Sequence, residues 1–417
     1  MMGNLLRRYW MPGPLSLEVP SPDSPPVRVR LLGEDFIAFR DTTGKVGLVA
    51  NACPHRGASL FFGRNEEAGL RCVYHGWKFD TAGECVDMPS EPAESNFKSK
   101  VRVVAYPTHE SGGVVWTYMG PPEKMTPFRD FGSDDLKPEQ WQASKILSEC
   151  NWVQGVEGNL DTVHISFLHR NLADFEVPPD ETDEPGVPSS QMSTFMRGRR
   201  HSPRLEVEDT WYGFRYAGLR DTPNGHVHVR LTDFIMPFIC YISNIPVGGA
   251  NALMMVPIDD NNFWRMSFTV KPDKVAPQGG SGSVLAAARK SEIQERTQTF
   301  ENDFLIDREA QRSFSYTGIK GVAQQDMAVT ESMGSIYDRS HEHLGTTDSA
   351  VIRMRRMLVK AAKDLAQGIE PPGVEPVTPF ADIRSAERII TNDEDWRRLG
   401  TSVDPYVKPR AEEITAG

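Results

Sequence analysis

Two short segments constrain this chain more than anything else in it: Cys53-Pro-His55-Arg56-Gly57 and Cys72-Val-Tyr-His75-Gly76-Trp77. They read C-x-H, sixteen intervening residues, then C-x-x-H. Each arm offers one sulfur and one imidazole nitrogen. Two such arms suit a Rieske-type [2Fe–2S] cluster, in which two thiolates hold one iron and two imidazoles the other. A tetrahedral zinc ion accepts the same four ligands, but the mixed composition of both arms fits the cluster better. Gly57 and Gly76 follow the histidines, where tight loops around a metal group need backbone freedom.

A second constellation lies further along, between Asn151 and His169. It contains Asp161-x-x-His164-x-x-x-x-His169. On a helix, Asp161 and His164 share a face. His164 and His169 are splayed by roughly 140° at 3.6 residues per turn. They reach one ion only if the helix bends, bulges or ends between them, and Gly155 and Gly158 loosen the stretch. Two histidines plus one carboxylate, with open positions, form the ligand set of mononuclear non-haem Fe(II) oxygenases. Read alone, the pattern also describes a polar helix face with satisfied histidines.

The CPHRG and CVYHGW loops resemble those of the Rieske non-haem iron oxygenases. They differ from respiratory-chain Rieske proteins, whose loops each carry an extra, disulfide-forming cysteine. That difference is consistent with a lower-potential cluster fed from a reduced nicotinamide. The resemblance runs from about residue 30 to 355 and points to the phthalate 4,5-dioxygenase group. It implies an α+β chain: an all-β cluster domain over 1–130, and a catalytic domain over 131–417 with an antiparallel sheet flanked by helices. It implies that His164 and His169 bind iron with a distant acidic residue. The segment 324–340 resembles the region that supplies it, with Asp326 the expected ligand and Glu331 the alternative. Asp338 is expected to pair with Arg339 or a neighbour, and Asp307 and Glu309 to sit solvated in a charged helix. Asp161 takes from the resemblance a bridging role, joining His75 (or, less favoured, His55) of a neighbouring subunit to His164. An ordinary Asp–His hydrogen bond within one helix is the competing reading.

The implied activity is that of a terminal oxygenase using O₂ to hydroxylate or dihydroxylate an aromatic, carboxylated substrate. O- or N-dealkylation of an aryl ether or amide is the alternative. A Rieske electron-transfer protein is the non-enzymatic one, although it would leave some 300 residues idle. A homotrimer, or a stack of trimers, is implied as well. No G-x-G-x-x-G strand–turn–helix unit and no second cysteine cluster appear, so a separate NAD(P)H-dependent reductase, with or without a ferredoxin, must supply electrons.

Composition agrees. At 417 residues, two domains are natural. No apolar run reaches eighteen residues, so no membrane span is expected, and the N-terminus lacks a secretory core. Beyond Cys53 and Cys72 the chain has Cys85, Cys150 and Cys240. This irregular, odd remainder argues for a reducing cytoplasm. A net charge of −11 disfavours nucleic acid and anionic membranes as partners.

Alternating patterns predict strands over 27–32, 35–39, 45–49, 77–79 and 113–118, then over 211–216, 226–230, 238–242, 253–256 and 263–270. A helix is expected over 151–169, with others over 284–312 and 350–367. Residues 121–138 read as a linker, 173–203 as a long loop, 278–283 as a flexible loop, and the tail beyond 370 as a surface wrap. Arg197, Arg199, Arg200 and Arg230 are candidate partners for a substrate carboxylate. Phe167, Phe234 and Phe238 are candidate pocket aromatics, with core packing as the default.

Overall fold

The computed structural model describes residues 1–92, 94–128, 140–175, 185, 202–222, 224–243, 250–270, 292–375, 381–401 and 404–408. The 130/131 boundary, most of the 121–138 and 173–203 segments, the 278–283 loop and Arg197, Arg199 and Arg200 lie outside them. The chain forms two compact units. One is Gly3–Phe128 with Pro257–Asp259; the other comprises Arg129–Val256 and Asp260–Gly417, with Met1 and Met2.

The first unit is built from three small antiparallel sheets. One orders Val27–Leu31, Glu34–Arg40, Val46–Ala50 and Ala105–Tyr106; a second orders Trp10–Leu15, Val114–Tyr118 and Thr108–Ser111. The third orders Arg64–Glu66, Gly69–Arg71, Lys78–Phe79 and Cys85–Asp87. Phe36, Ile37, Ala38 and Phe39 are all buried, so their strand is covered on both faces. Cys53 and Cys72 belong to the same buried cluster as Ile37, Phe39, Leu60, Leu70 and Phe79. Both metal-loop cysteines are therefore rooted in the hydrophobic core.

The second unit holds one large sheet. Its order is Arg204–Thr210, Gly213–Asp221, Val227–Ile235, Ile239–Ile242, Ala250–Pro257, Phe263–Val270, Trp141–Ser148 and Glu292–Ile293. Antiparallel pairing dominates; the last pair is parallel. Glu387–Ile390 adds a ninth strand beside Val227–Arg230. The helices Trp152–Leu160, Val322–Ser332 and Ser349–Leu365 complete this α+β unit. A Cβ on Gly155 would stand 2.5 Å from the Phe263 ring, so this glycine admits the first helix close to the sheet rather than loosening it.

Three expectations change here. Within the described part of 284–312 there is no continuous helix. Instead there are a two-residue strand, a 3₁₀ segment Phe300–Leu305 and a short helix Arg308–Ser313. Asp303, Phe304 and Leu305 are left-handed (φ 50–52°), which breaks any helix, and Asp307 caps the next one through the amides of Glu309 and Ala310. The strand expected at 211–216 begins at Gly213, because Trp211 and Tyr212 form the turn. The tail does not merely wrap a surface. Ile389, Ile390, Trp396 and Leu399 are buried, the last three against Ala217, Leu219, Val229 and Leu231. Arg215, fully buried beside Asp233, donates to the Leu399 carbonyl at 2.8 Å and ties the tail down.

Candidate metal centres

In the first unit the two cysteine–histidine loops are built alike. The Gly57 amide donates to the Cys53 carbonyl and the Gly76 amide to the Cys72 carbonyl, closing each turn. Both glycines are left-handed, at φ +76° and +78°, which favours glycine. The two imidazoles meet with centroids 4.4 Å apart. His55 stacks on Trp77 at 4.3 Å, and Trp77 donates to the Ser90 hydroxyl at 3.0 Å. His75 leans on Tyr74 at 3.9 Å.

The Nδ1 atoms of both His55 and His75 are buried without a partner. An orphaned buried nitrogen is costly unless something occupies it. Burial pushes the Cys53 thiol up to about 11, while the amides of His55 and Arg56 pull the other way. Two buried sulfurs and two vacant nitrogens are the donor set a [2Fe–2S] cluster needs. A single tetrahedral zinc would draw all four ligand atoms to within about 4 Å of one another. One sulfur and one unpartnered Nδ1 from each loop match the two-thiolate, two-imidazole set of the [2Fe–2S] cluster.

In the second unit the only His, Cys, Asp and Glu set of three among the described residues that converges within 4.8 Å is His164, His169 and Asp326. Nε2 of His164 and Nε2 of His169 are 3.2 Å apart. Asp326 Oδ1 lies 3.0 Å from His169 Nε2 and 3.7 Å from His164 Nε2. Donors about 2.1 Å from one ion at right angles stand about 3 Å apart; two of the three separations match and the third is wider, so the three atoms can gather on one side of a single ion. The helix does end before the histidines. Leu160 is its last residue, Asp161 is extended at its C-terminus, and His164–Ser166 form a 3₁₀ turn. The expected 151–169 helix and its shared Asp161–His164 face are thus replaced by a break that redirects both imidazoles.

The surroundings of the three groups differ. His169 Nδ1 is 2.7 Å from Gln325 Oε1, and Gln325 Nε2 donates to the Ile319 carbonyl at 2.8 Å. Asp326 Oδ2 meets Arg265 Nη2 at 3.0 Å. Burial opposes ionisation of Asp326, yet Arg265 and the imidazoles hold its carboxyl well below the usual range. His164 Nδ1 lies 3.6 Å from Asp161 Oδ2, too far for a good hydrogen bond. Asp161 Oδ1 accepts instead from the Val163 amide at 2.7 Å.

Glu331 stands apart from the cluster, held by Arg296 at 2.5 Å and accepting from the Glu149 amide. Asp338 does not pair with Arg339, but its neighbour His341 stands 3.8 Å away. Asp338 caps its own 3₁₀ turn through Ser340, while Arg339 reaches Glu157. Asp307 is a helix cap, and exposed Glu309 pairs with Arg312. Phe234 and Phe238 are wholly buried, whereas Phe167 is half-exposed. Arg230 is buried and bonded to Glu387, and the cross-strand register sets Arg220 and His228 on the same sheet face. A Cβ on Gly218, between them, would stand 3.2 Å from the Thr162 methyl, so this face looks towards the Asp161 turn. Sequence reasoning missed Gln325, Arg265, Arg220, His228 and Glu387. Only Gln325, adjacent to Asp326, carried any local signal.

The Rieske [2Fe-2S] domain family matches residues 9–107, and the family described as LigXa C-terminal domain like matches 117–414. The phthalate 4,5-dioxygenase oxygenase subunit of Pseudomonas putida is 39% identical over 405 residues, covering 95% of this chain and 90% of that one. The 3-chlorobenzoate-3,4-dioxygenase oxygenase subunit of Comamonas testosteroni is 36% identical, covering 95% and 93%. Dicamba monooxygenase, solved with dicamba bound, shares the fold at a TM-score of 0.60 and 16% identity, over 88% of this chain and all of that one.

Proposed function

Since the chain belongs to the Rieske non-haem iron oxygenases, among relatives of phthalate 4,5-dioxygenase, we propose that it is the terminal oxygenase of a multicomponent system acting on a carboxylated aromatic. Electrons come from a separate NAD(P)H-dependent reductase, directly or through a ferredoxin, and O₂ is the co-substrate. The observation that carries the reading is the convergence of His164, His169 and Asp326 in a chain that also has a cluster-binding unit.

In this reading Cys53 and Cys72 hold one cluster iron and His55 and His75 the other. His164, His169 and Asp326 hold the mononuclear Fe(II). When bound, these groups supply one-electron storage and O₂ activation. The residues themselves do positional work. With all three donors on one side, a bound iron would keep its other side open to O₂ and substrate. Asp161, beside His164, joins it to the neighbouring subunit's His75 in a homotrimer or trimer stack. The functional domains are 1–130 and 131–417. Arg220 is suited to a substrate carboxylate, whereas Arg230 is already engaged by Glu387. Burial and the neighbouring Arg230 lower the Arg220 pKa to about 10, while the Glu387 carboxylate of the same buried group opposes that shift. The relatives named for phthalate and chlorobenzoate support an acidic aromatic substrate. Outside the cluster loops, Cys85, Cys150 and Cys240 are buried and unbridged, which supports a reducing cytoplasm, and no helix among the described residues is long and apolar enough to cross a membrane.

The test pairs metal analysis with turnover. The protein should carry about three irons per chain, two in the cluster and one mononuclear. His169→Ala and Asp326→Ala should lose the third iron and keep the red-brown cluster absorption, while Glu331→Gln keeps both. NADH should be consumed only after a reductase is added. A panel of aromatic acids, aryl ethers and N-alkyl amides should yield a diol or phenol from an acid. Products from ethers alone would replace hydroxylation by dealkylation. Full turnover in Asp326→Ala would sink the site assignment.

A further inference from the structure

The two groups that touch the far sides of His169 and Asp326 are a neutral amide and a cation, and each has one consistent arrangement of protons. Gln325 Nε2 donates to the Ile319 carbonyl, which can only accept. The amide is therefore oriented with Oε1 towards His169, 2.7 Å from Nδ1. An amide oxygen cannot donate, so Nδ1 must carry the proton. A neutral imidazole protonated at Nδ1 has its lone pair at Nε2, the atom that faces Asp326 and His164. On the other flank, Arg265 extends from the strand Phe263–Val270 and holds Asp326 Oδ2 at 3.0 Å. Oδ1 is the oxygen of that carboxylate that meets both imidazoles.

Resting on the assignment of His164, His169 and Asp326 as iron ligands, we propose that Gln325 and Arg265 are positioning residues of the mononuclear site. Gln325 fixes His169 in the tautomer with a bare Nε2, and Arg265 confines Asp326 to ligation through Oδ1. The division has a chemical consequence. A carboxylate bound through both oxygens would occupy one more position of the octahedron and leave one fewer for O₂ and substrate. The guanidinium occupies the second oxygen and withdraws charge from the first. The site thus gives up some metal affinity to keep positions open.

The experiment is a titration of iron-depleted, cluster-intact protein with cobalt(II) alone, followed by its visible absorption, with the cluster spectrum and far-UV circular dichroism as folding controls. Gln325→Met keeps the side-chain volume but removes the acceptor, and should bind cobalt roughly 10–100-fold more weakly. Gln325→Glu keeps the acceptor but sets a carboxylate oxygen against the Ile319 carbonyl, and should bind more tightly than Gln325→Met. Arg265→Met should bind cobalt several-fold more tightly, because a repelling charge is gone and Oδ2 is released. A merely structural brace predicts the opposite sign for Arg265→Met. It also predicts that Gln325→Met, the better volume match to a packed side chain, outperforms Gln325→Glu. Either result overturns the proposal, as does unchanged affinity in Gln325→Met or Arg265→Met. His169→Ala separates the two levels of inference. If it still takes up cobalt at that site, the ligand assignment itself is wrong. If it does not, a failure of the Gln325 and Arg265 variants refutes only their positioning role.

Discussion

At the scale of single residues, Asp161 carries the most consequence per atom. One of its oxygens is spent on the Val163 amide, and the other stands 3.6 Å from His164. Burial would raise its carboxyl, but His164 and the amides of Val163 and His164 hold it below the ordinary value. It is a carboxylate with capacity left for a second imidazole. Asp161→Asn is nearly isosteric, so cluster and mononuclear iron should both stay bound. An amide accepts less strongly and cannot serve two imidazoles equally. In a single-turnover reaction of reduced, substrate-loaded protein with O₂, cluster oxidation should slow by orders of magnitude. An unmutated rate would show that the electron path runs elsewhere. Arg220 makes a different prediction. Arg220→Gln should raise KM for an aromatic acid roughly tenfold or more, the loss of a charge-assisted bond, and leave KM for an uncharged analogue nearly unchanged. Equal effects on both would remove Arg220 from carboxylate recognition.

Among secondary-structure elements, the decisive contact is between the helices Trp152–Leu160 and Val322–Ser332. Gln154, almost wholly buried, sits between them. Its Nε2 donates to the carbonyls of Thr330 and Gly334, both at 3.0 Å, and its Oε1 accepts from the Tyr337 amide. One side chain thereby satisfies three backbone groups at the C-terminal end of the second helix, a role well matched to the orphan carbonyls found there. Glu157, one turn on, anchors Arg339 and Arg355. These contacts set the distance between the chain segment bearing His164 and His169 and the helix bearing Asp326. Gln154→Leu keeps much of the volume and strands those backbone groups, at a cost of about 1–3 kcal/mol for each one left buried. Its Tm should fall by several degrees, and mononuclear iron occupancy should fall with it, while the cluster spectrum is unchanged. Full iron occupancy in a measurably destabilised Gln154→Leu would show that this contact does not position the site.

For the molecule as a whole, the ninth strand closes the sheet over a buried charge group. Burial holds His228 below its ordinary 6.5 despite the Glu387 carboxylate, and Arg220 and Arg230 push the same way. Burial would raise Glu387, but Arg230 and His228 hold it below 4.5. Both groups bind fewer protons folded than unfolded, so each contributes stability that is present above its unfolded pKa and lost as pH falls through the folded one. The Tm should therefore begin to fall below about pH 6.5 through His228, and fall further below about pH 4.5 through Glu387. His228→Gln should flatten the upper part of that profile; an identical slope between about pH 7 and 5 would exonerate the histidine. Assembly makes a separate prediction. Mixing His75→Ala chains with Asp161→Asn chains should restore some activity if electrons cross between subunits, because some interfaces then pair an intact His75 with an intact Asp161. No recovery in any mixture would confine the path to one chain.

The cluster loops were legible in the sequence because each ligand pair lies within a few residues, where spacing alone sets which atoms can meet. The same holds for the demand that something break between His164 and His169, since five residues of helix cannot aim both at one point. What supplied the break, an α-helix ending at Leu160 followed by a 3₁₀ turn, depended on packing against the sheet and the distant helix. Asp326 was reachable only by resemblance, because the chain between it and His169 has no local geometry linking them. Glu331, five residues on and chemically equivalent, faces Arg296 instead, and nothing in residue type distinguishes the two. Gln325, Arg265 and the Glu387 group were illegible for a related reason. Their roles lie in side-chain direction across strands and helices far apart in sequence, and only the tertiary structure decides that direction.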